Sequence, residues 1–155
     1  VIFLSDNGIP FPGAKTTLYD AGVHLPLIVR KPGQKAGVVT SAMASWTDVV
    51  PTVLDWCGVK PEPVGKKAPA RPGRSFLPVL EQDKADGWDE VYGSHQFHEV
   101  TMYYPMRMVR TRQYKYILNL AHPLEYPHAS DLWASPTWQG VLKRGDKLMG
   151  SRDVK

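Results

Sequence analysis

No apolar run in this 155-residue chain approaches the roughly 18 to 20 residues that cross a bilayer. Nor does a basic start with an apolar core and a cleavage site precede the first strand-like residues. Nothing in these residues is therefore expected to anchor the chain in a membrane or to export it. The single cysteine, Cys57, excludes an internal disulfide and leaves the redox compartment open. Blocks of like charge are missing too: 19 Lys and Arg are interleaved with 15 Asp and Glu, so the net charge of +4 does not gather into a nucleic-acid tail. An initiator methionine is also lacking, and the first residue already lies in a strand-like run. The chain is accordingly expected to be a piece of a longer protein, its targeting signals lost upstream.

What remains is ordinary globular composition, 43% hydrophobic and 22% charged, enough for a domain with its own core. Strand and helix signals alternate. "VIFLS" is a short apolar run of the kind covered on both faces in a parallel sheet. "VHLPLIVR", Val23 to Arg30, alternates apolar and polar positions and reads as a strand near an edge, because Pro26 cannot donate a ladder hydrogen bond. The turn "KPGQKAG" and a β-rich "VVTSAM" follow. In "SWTDVVPTVLDWCGV" the period becomes helical: Val49, Val50, Val53, Leu54 and Cys57 share one face, Ser45 or Thr47 caps the start, and Gly58 caps the end. Cys57 is expected to be a small buried core residue. Lys60 to Gly73 reads as an exposed loop. After a helical turn in "RSFLPVL", the runs "VYGSHQF", "MRMVRT" and "QYKYILNL" are β-like, the last two forming a hairpin around Thr111 to Gln113. A boundary near residues 85 to 90 is expected between an α/β part and a smaller antiparallel part.

The chemistry-bearing stretch is "SDNGIPFPGAK", Ser5 to Lys15, directly after the first strand. In open α/β sheets ligands bind beyond the carboxyl ends of the strands, where Asp6 and Asn7 stand. Both offer hard oxygen donors suited to Ca²⁺ or Mg²⁺. Gly8 permits a sharp turn, and Lys15 can reach back as a point charge toward an anion held by the metal. On their own these residues read more simply as a plain turn, Asp, Asn and Gly being the commonest turn residues.

Those elements, with "LYDAGVHLPLIVRKPG", "TDVVPTVLDWCGV" and "MRMVRTRQYKYILNL", occur in an order that resembles the sulfatase family of the alkaline phosphatase superfamily, over most of residues 1 to 120. "SDNGIPFPGAKTTLY", "GSHQFHEVTMYYPMR" and "SPTWQGVL" are most similar to its sulfamidase members. The resemblance implies that residues 1 to about 88 complete a large sulfatase α/β domain and that residues 89 to 155 form most of a smaller antiparallel α+β domain. It implies that Asp6 and Asn7 are two Ca²⁺ ligands and that Lys15 contacts the sulfate group. The nucleophile of such enzymes is a formylglycine made from a Cys or Ser in a Cys-x-Pro-Ser-Arg type motif. Cys57, in "DWCGVKPEP", lacks that motif, so no nucleophile is expected in this chain, and the chain alone is expected to be inactive. The missing N-terminal part of the same protein is an implied partner. The implied substrate is a sulfated sugar, foremost the N-sulfate of glucosamine in heparan-type glycosaminoglycans. An O-sulfatase acting on sugar or aryl sulfate esters is the nearest alternative, and a non-catalytic basic module binding polyanions is the alternative of another class. The family's usual compartments are the periplasm, the cell exterior and the lysosome.

Further residues keep two readings each. His98 and Glu99 match a region that the resemblance places at the mouth of the substrate pocket, and they read equally as a solvated loop pair. Arg107, Arg110, Arg112 and Lys115 form the densest basic patch, fit to meet a sulfated chain or only to be solvated. His95 and His24 read more simply as structural or polar-face residues, and most of the aromatics as packing for the small sheet.

Overall fold

Residues 1–60, 72–100, 102–149 and 152–154 are described by the structure, a computed structural model. They carry strands and helices in mixed α/β order: β1 (Ile2–Leu4), α1 (Asp20–Val23), β2 (Leu27–Val29), α2 (Val49–Trp56), β3 (Glu90–His98), β4 (Met102–Thr111), β5 (Lys115–Asn119), α3 (Ser130–Trp133), α4 (Pro136–Arg144), β6 (Leu148–Met149) and β7 (Arg152–Asp153). β1 pairs with β2, β3, β4 and β5 form a sheet in that order, and β6 pairs with β7 antiparallel. The three-residue connections on either side of β4 require antiparallel neighbours, since a parallel pair needs a crossover of a dozen residues or more. Among the described residues no helix is long and apolar enough to cross a membrane. The loop expected over 60 to 73 falls mostly on residues 61–71, outside the described residues.

The chain divides into two compact units: Val1–Ile28 with Gly93–Val109 and Lys115–Lys155, and Val29–Tyr92 with Arg110–Tyr114. In the first unit the core is built from the period-two face of β4. Tyr104, Met106 and Met108 are buried there with Leu18 and Ala121, and Val23, Ile117 and Tyr126 pack against them. Alternation puts Tyr103 and Arg107, both exposed, on the opposite face, with buried Pro105 between them. Met102, Ala129 and Leu132 make a smaller buried cluster. α4 starts on Ser135, whose Oγ accepts from Trp138 N at 3.1 Å with Pro136 at the first position, and it stops at left-handed Gly145.

The second unit is organised by α2. Ser45 and Asp48 form a reciprocal capping box around the 3₁₀ turn Trp46–Asp48. Asp48 also accepts from Arg74 N at 2.8 Å, and buried Thr52 donates to Asp48 O at 2.7 Å while accepting from Phe76 N at 3.0 Å. The segment after residue 73 is thus held on the polar side of the helix. The expected cap at Ser45 and the left-handed Gly58 are both present.

Three expectations are corrected. On the shared apolar face of α2, Val49 and Leu54 are half-buried while Val50, Val53 and Cys57 are exposed, and Asp48 and Thr52 bind the backbone of residues 74 and 76. Cys57 is therefore a surface residue at the helix C-cap, not a core one. The strand expected from Val23 begins only at Leu27, since Val23 N and His24 N bond Tyr19 O and Asp20 O in the turn of α1. "VVTSAM" is not a strand, although Ser41 N and Met43 N bond Asp83 O and Trp88 O.

Cover on both faces of β1 is also missing within this chain, where Phe3 is 59% and Ile28 61% exposed. With Val50 and Val53 exposed as well, the isolated chain is expected to self-associate. Sedimentation velocity across a range of protein concentrations checks this, and a concentration-independent monomer would contradict it.

Candidate functional site

The loop between β1 and α1 is fastened mainly to itself. Phe11 N and Lys15 N both bond Ile9 O, at 2.7 and 3.1 Å, Ala14 N bonds Phe11 O, and Thr17 Oγ1 donates to Gly13 O and Ala14 O. Gly8 serves this loop by lacking a side chain, not by a left-handed backbone. A Cβ there would lie 2.6 Å from Ala21 O and 2.9 Å from the Cα of Gly22. Ser5, Asn7, Phe11, His24 and Pro26 help to line an open concavity of about 390 Å³ at the end of β1.

Asp6 and Asn7 are exposed on that loop. Asp6 Oδ1 accepts from Asn7 N at 3.0 Å, and Ser5 Oγ donates to Asn7 O at 2.8 Å. In kind, a carboxylate and an amide suit Ca²⁺; in number they fall short of the six to eight oxygens it takes. Among the described residues no cluster of three or more His, Cys, Asp or Glu could hold a metal. Asp6 and Asn7 alone therefore do not make a complete Ca²⁺ site.

Lys15 ends the loop with its side chain largely buried, 18% exposed, and its Nζ donates to Asp131 Oδ2 at 2.5 Å. An ammonium has three N–H donors, of which this pair uses one. Asp131 lies in the first turn of α3, and the residue before it, Ser130, donates through N (3.1 Å) and Oγ (2.8 Å) to Glu99 Oε1. His98 Nε2 stands 3.8 Å from the same oxygen. One short helix thus joins two groups that lie far apart in sequence, Lys15 on one side and His98 with Glu99 on the other. Among the described residues the non-glycine residues with positive φ are Thr16 (65°) and Glu99 (59°), both at this junction. Sequence reasoning missed Thr16, Tyr126, Ser130 and Asp131. The "SPTW" cap and the "SD" start mark helices near residue 130, but no local pattern signals an ion pair spanning 116 positions.

The Lys15 ammonium holds the Asp131 carboxyl below its usual range, and the Ser130 donors do the same for Glu99. A carboxylate with a lowered folded-state pKa stabilises above its unfolded value and loses that contribution as pH falls through the folded one. The melting temperature of Asp131→Asn is therefore expected to lie below the parent's at neutral pH and to converge with it in acid, once the pH has fallen below the lowered folded-state value, measured by thermal melts from neutral to strongly acidic pH.

Arg107 is not brought to this junction. It lies on the exposed face of β4, five residues beyond Met102, or roughly 16 Å along the strand, and donates through Nη1 to Met106 O at 3.0 Å. The basic patch around it is largely paired: Arg112, in the turn after β4, bonds Asp89 and Ser41 O, and Lys115 bonds Asp20 and Leu18 O. His95 is structural, its Nδ1 3.0 Å from Tyr104 O.

Residues 14–137 match the family model described as N-sulphoglucosamine sulphohydrolase, C-terminal. The chain is 43% identical over 150 residues to human N-sulphoglucosamine sulphohydrolase, covering 93% of this chain and 29% of that protein. It is 31% identical to an ulvan-active sulfatase of Formosa agariphila (94% and 28% covered). It is 30% identical to the multifunctional alkaline phosphatase superfamily protein PehA of Trinickia caryophylli (88% and 28% covered). The chain spans less than a third of the length of these relatives. With the family model matched over most of its residues, the chain belongs to the sulfatase family, in the group described by the C-terminal region of N-sulphoglucosamine sulphohydrolase.

Proposed function

We propose that this chain is the C-terminal portion of a sulfohydrolase that releases sulfate from sulfated sugars, its substrate being the N-sulfate of glucosamine in heparan-type chains. The observation that carries this reading is the 43% identity to the human sulphohydrolase across 93% of the chain. In the complete enzyme residues 1 to about 88 would finish the large domain and residues 89 to 155 most of the small one.

Lys15 would place a fixed positive charge against a sulfate oxygen and stabilise the negative charge that grows there as the bond to sulfur breaks. Its pairing with Asp131 supports this role by limiting the directions its remaining N–H groups can take. Asp6 and Asn7 would give two oxygens to Ca²⁺, whose chemistry when bound is to polarise the sulfate oxygens as a Lewis acid. His98 and Glu99 would border the sugar. Because Ser130 occupies Oε1 of Glu99, a sugar hydroxyl would meet its other oxygen. Arg107 would act apart from the others, toward a neighbouring sulfate of the chain. The nucleophile, a formylglycine, would come from residues outside this chain. The periplasm, the cell exterior or the lysosome is the proposed compartment.

An O-sulfatase is the second reading, favoured by the 31% identity to the ulvan-active enzyme over 94% of the chain. A polyanion-binding module is disfavoured by the pairing of Lys15, Arg112, Lys115 and Arg144 with carboxylates. The deciding experiment measures free sulfate released by the complete, formylglycine-bearing enzyme from glucosamine N-sulfate and from glucosamine 6-sulfate. Release from the N-sulfate alone supports the proposal; release from the 6-sulfate alone replaces the substrate.

A further inference from the structure

Thr16 follows the lysine proposed to contact sulfate, and its backbone is in the left-handed region at φ 65°, where a β-branched residue is strained. Such a conformation persists only when its surroundings hold it. Here the holder is Tyr126, 110 residues on. Its hydroxyl donates to Thr16 O at 2.7 Å and lies 2.7 Å from Thr16 Oγ1, which also bonds Lys15 O at 2.6 Å. The ring of Tyr126 is itself fixed edge-on between Tyr104 (centroids 5.0 Å apart) and His128 (5.4 Å), and His128 packs on Trp138 at 4.2 Å. Burial pushes the Tyr126 hydroxyl up from its ordinary pKa.

From this geometry we infer that Tyr126 is a positioning residue for sulfate binding: it holds Thr16 in its strained conformation and so aims Lys15. The inference rests on the proposed role of Lys15 and goes beyond it, since Tyr126 reaches the anion only through another residue.

The test uses the complete enzyme and inorganic sulfate as competitive inhibitor, with melting temperature recorded for every variant. Tyr126→Phe, which removes only the hydroxyl, is expected to raise the inhibition constant for sulfate about tenfold, the scale of one lost hydrogen bond. Adding Thr16→Gly to that variant is expected to restore most of the loss, because glycine adopts positive φ without a Cβ penalty. A merely structural tyrosine would give neither the change in sulfate affinity nor its rescue. Lys15→Ala, measured alongside, separates the two claims. If it raises the constant and Tyr126→Phe does not, the positioning role is overturned and the lysine's role stands. If Lys15→Ala leaves the constant unchanged, both fall. Should Tyr126→Phe fail to fold, Thr16→Val removes the side-chain half of the bridge; a raised constant supports the inference and an unchanged one overturns it.

Discussion

Gly22→Ala is expected to destabilise the protein by about 3 kcal/mol, the upper part of the range for overpacking a well-filled site. A Cβ at this buried position would lie 2.4 Å from Ala14 O, 2.5 Å from Thr17 O and 2.9 Å from Thr17 Oγ1. Two of those atoms are backbone, and Thr17 Oγ1 is tied to Gly13 O and Ala14 O, so none of them can swing aside as the end of a long side chain would. The loop that carries Asp6, Asn7 and Lys15 would have to lift away from α1. For a chain of this length that loss corresponds to a fall in melting temperature of roughly 6 to 12 °C, read by circular dichroism. Gly140→Ala is the matched control. Gly140 lies inside α4, where a Cβ meets only the flexible end of Arg144 at 3.3 Å, and alanine there is expected to stabilise by about 0.5 to 1 kcal/mol. Equal melting temperatures for the two variants would refute the close-approach argument.

Lys15→Ala in the complete enzyme is expected to lower kcat/KM for sulfate release by about a hundred- to a thousandfold, the usual cost of removing one preorganised charge from a developing oxyanion. Two features make the loss large. The side chain is mostly buried, so water does not replace the missing charge well, and Asp131 already fixes the ammonium before substrate arrives. Lys15→Arg is expected to recover only part of the activity. A planar guanidinium cannot occupy the position of a compact ammonium against Asp131 and still present the same donor to sulfate. Steady-state kinetics on the N-sulfated sugar checks both variants, and an alanine variant within threefold of the parent would remove Lys15 from the site.

The elements that were legible in the sequence are those with local causes. The cap at Ser45, the glycine ending α2 and the β4–β5 hairpin around Arg112 to Tyr114 each follow from a few neighbouring residues. The order of motifs around "SDNG" and "MRMVRT" was enough for the family, with Asp6, Asn7 and Lys15 placed on one loop. Burial was less legible. The face Val49, Val50, Val53, Leu54 and Cys57 has a helical period, yet only Val49 and Leu54 are half-buried and Cys57, expected in the core, is exposed, while Asp48 and Thr52 bind the backbone of residues 74 and 76. Arg112, part of the basic patch expected to meet a sulfated chain or only to be solvated, lies beyond the end of β4 and pairs with Asp89.

By itself, then, the sequence determined the family, the order of local elements and the loop that bears the oxygen donors and the lysine, since periodicity, caps and motif order act over a few residues. Only the tertiary structure decided which distant groups meet. It brought Asp131 to Lys15, Tyr126 to Thr16 and Ser130 to Glu99, because the segment after β5 folds back onto both the first loop and the β3–β4 turn. Contacts across 31 to 116 residues depend on packing in three dimensions, and no local pattern encodes them.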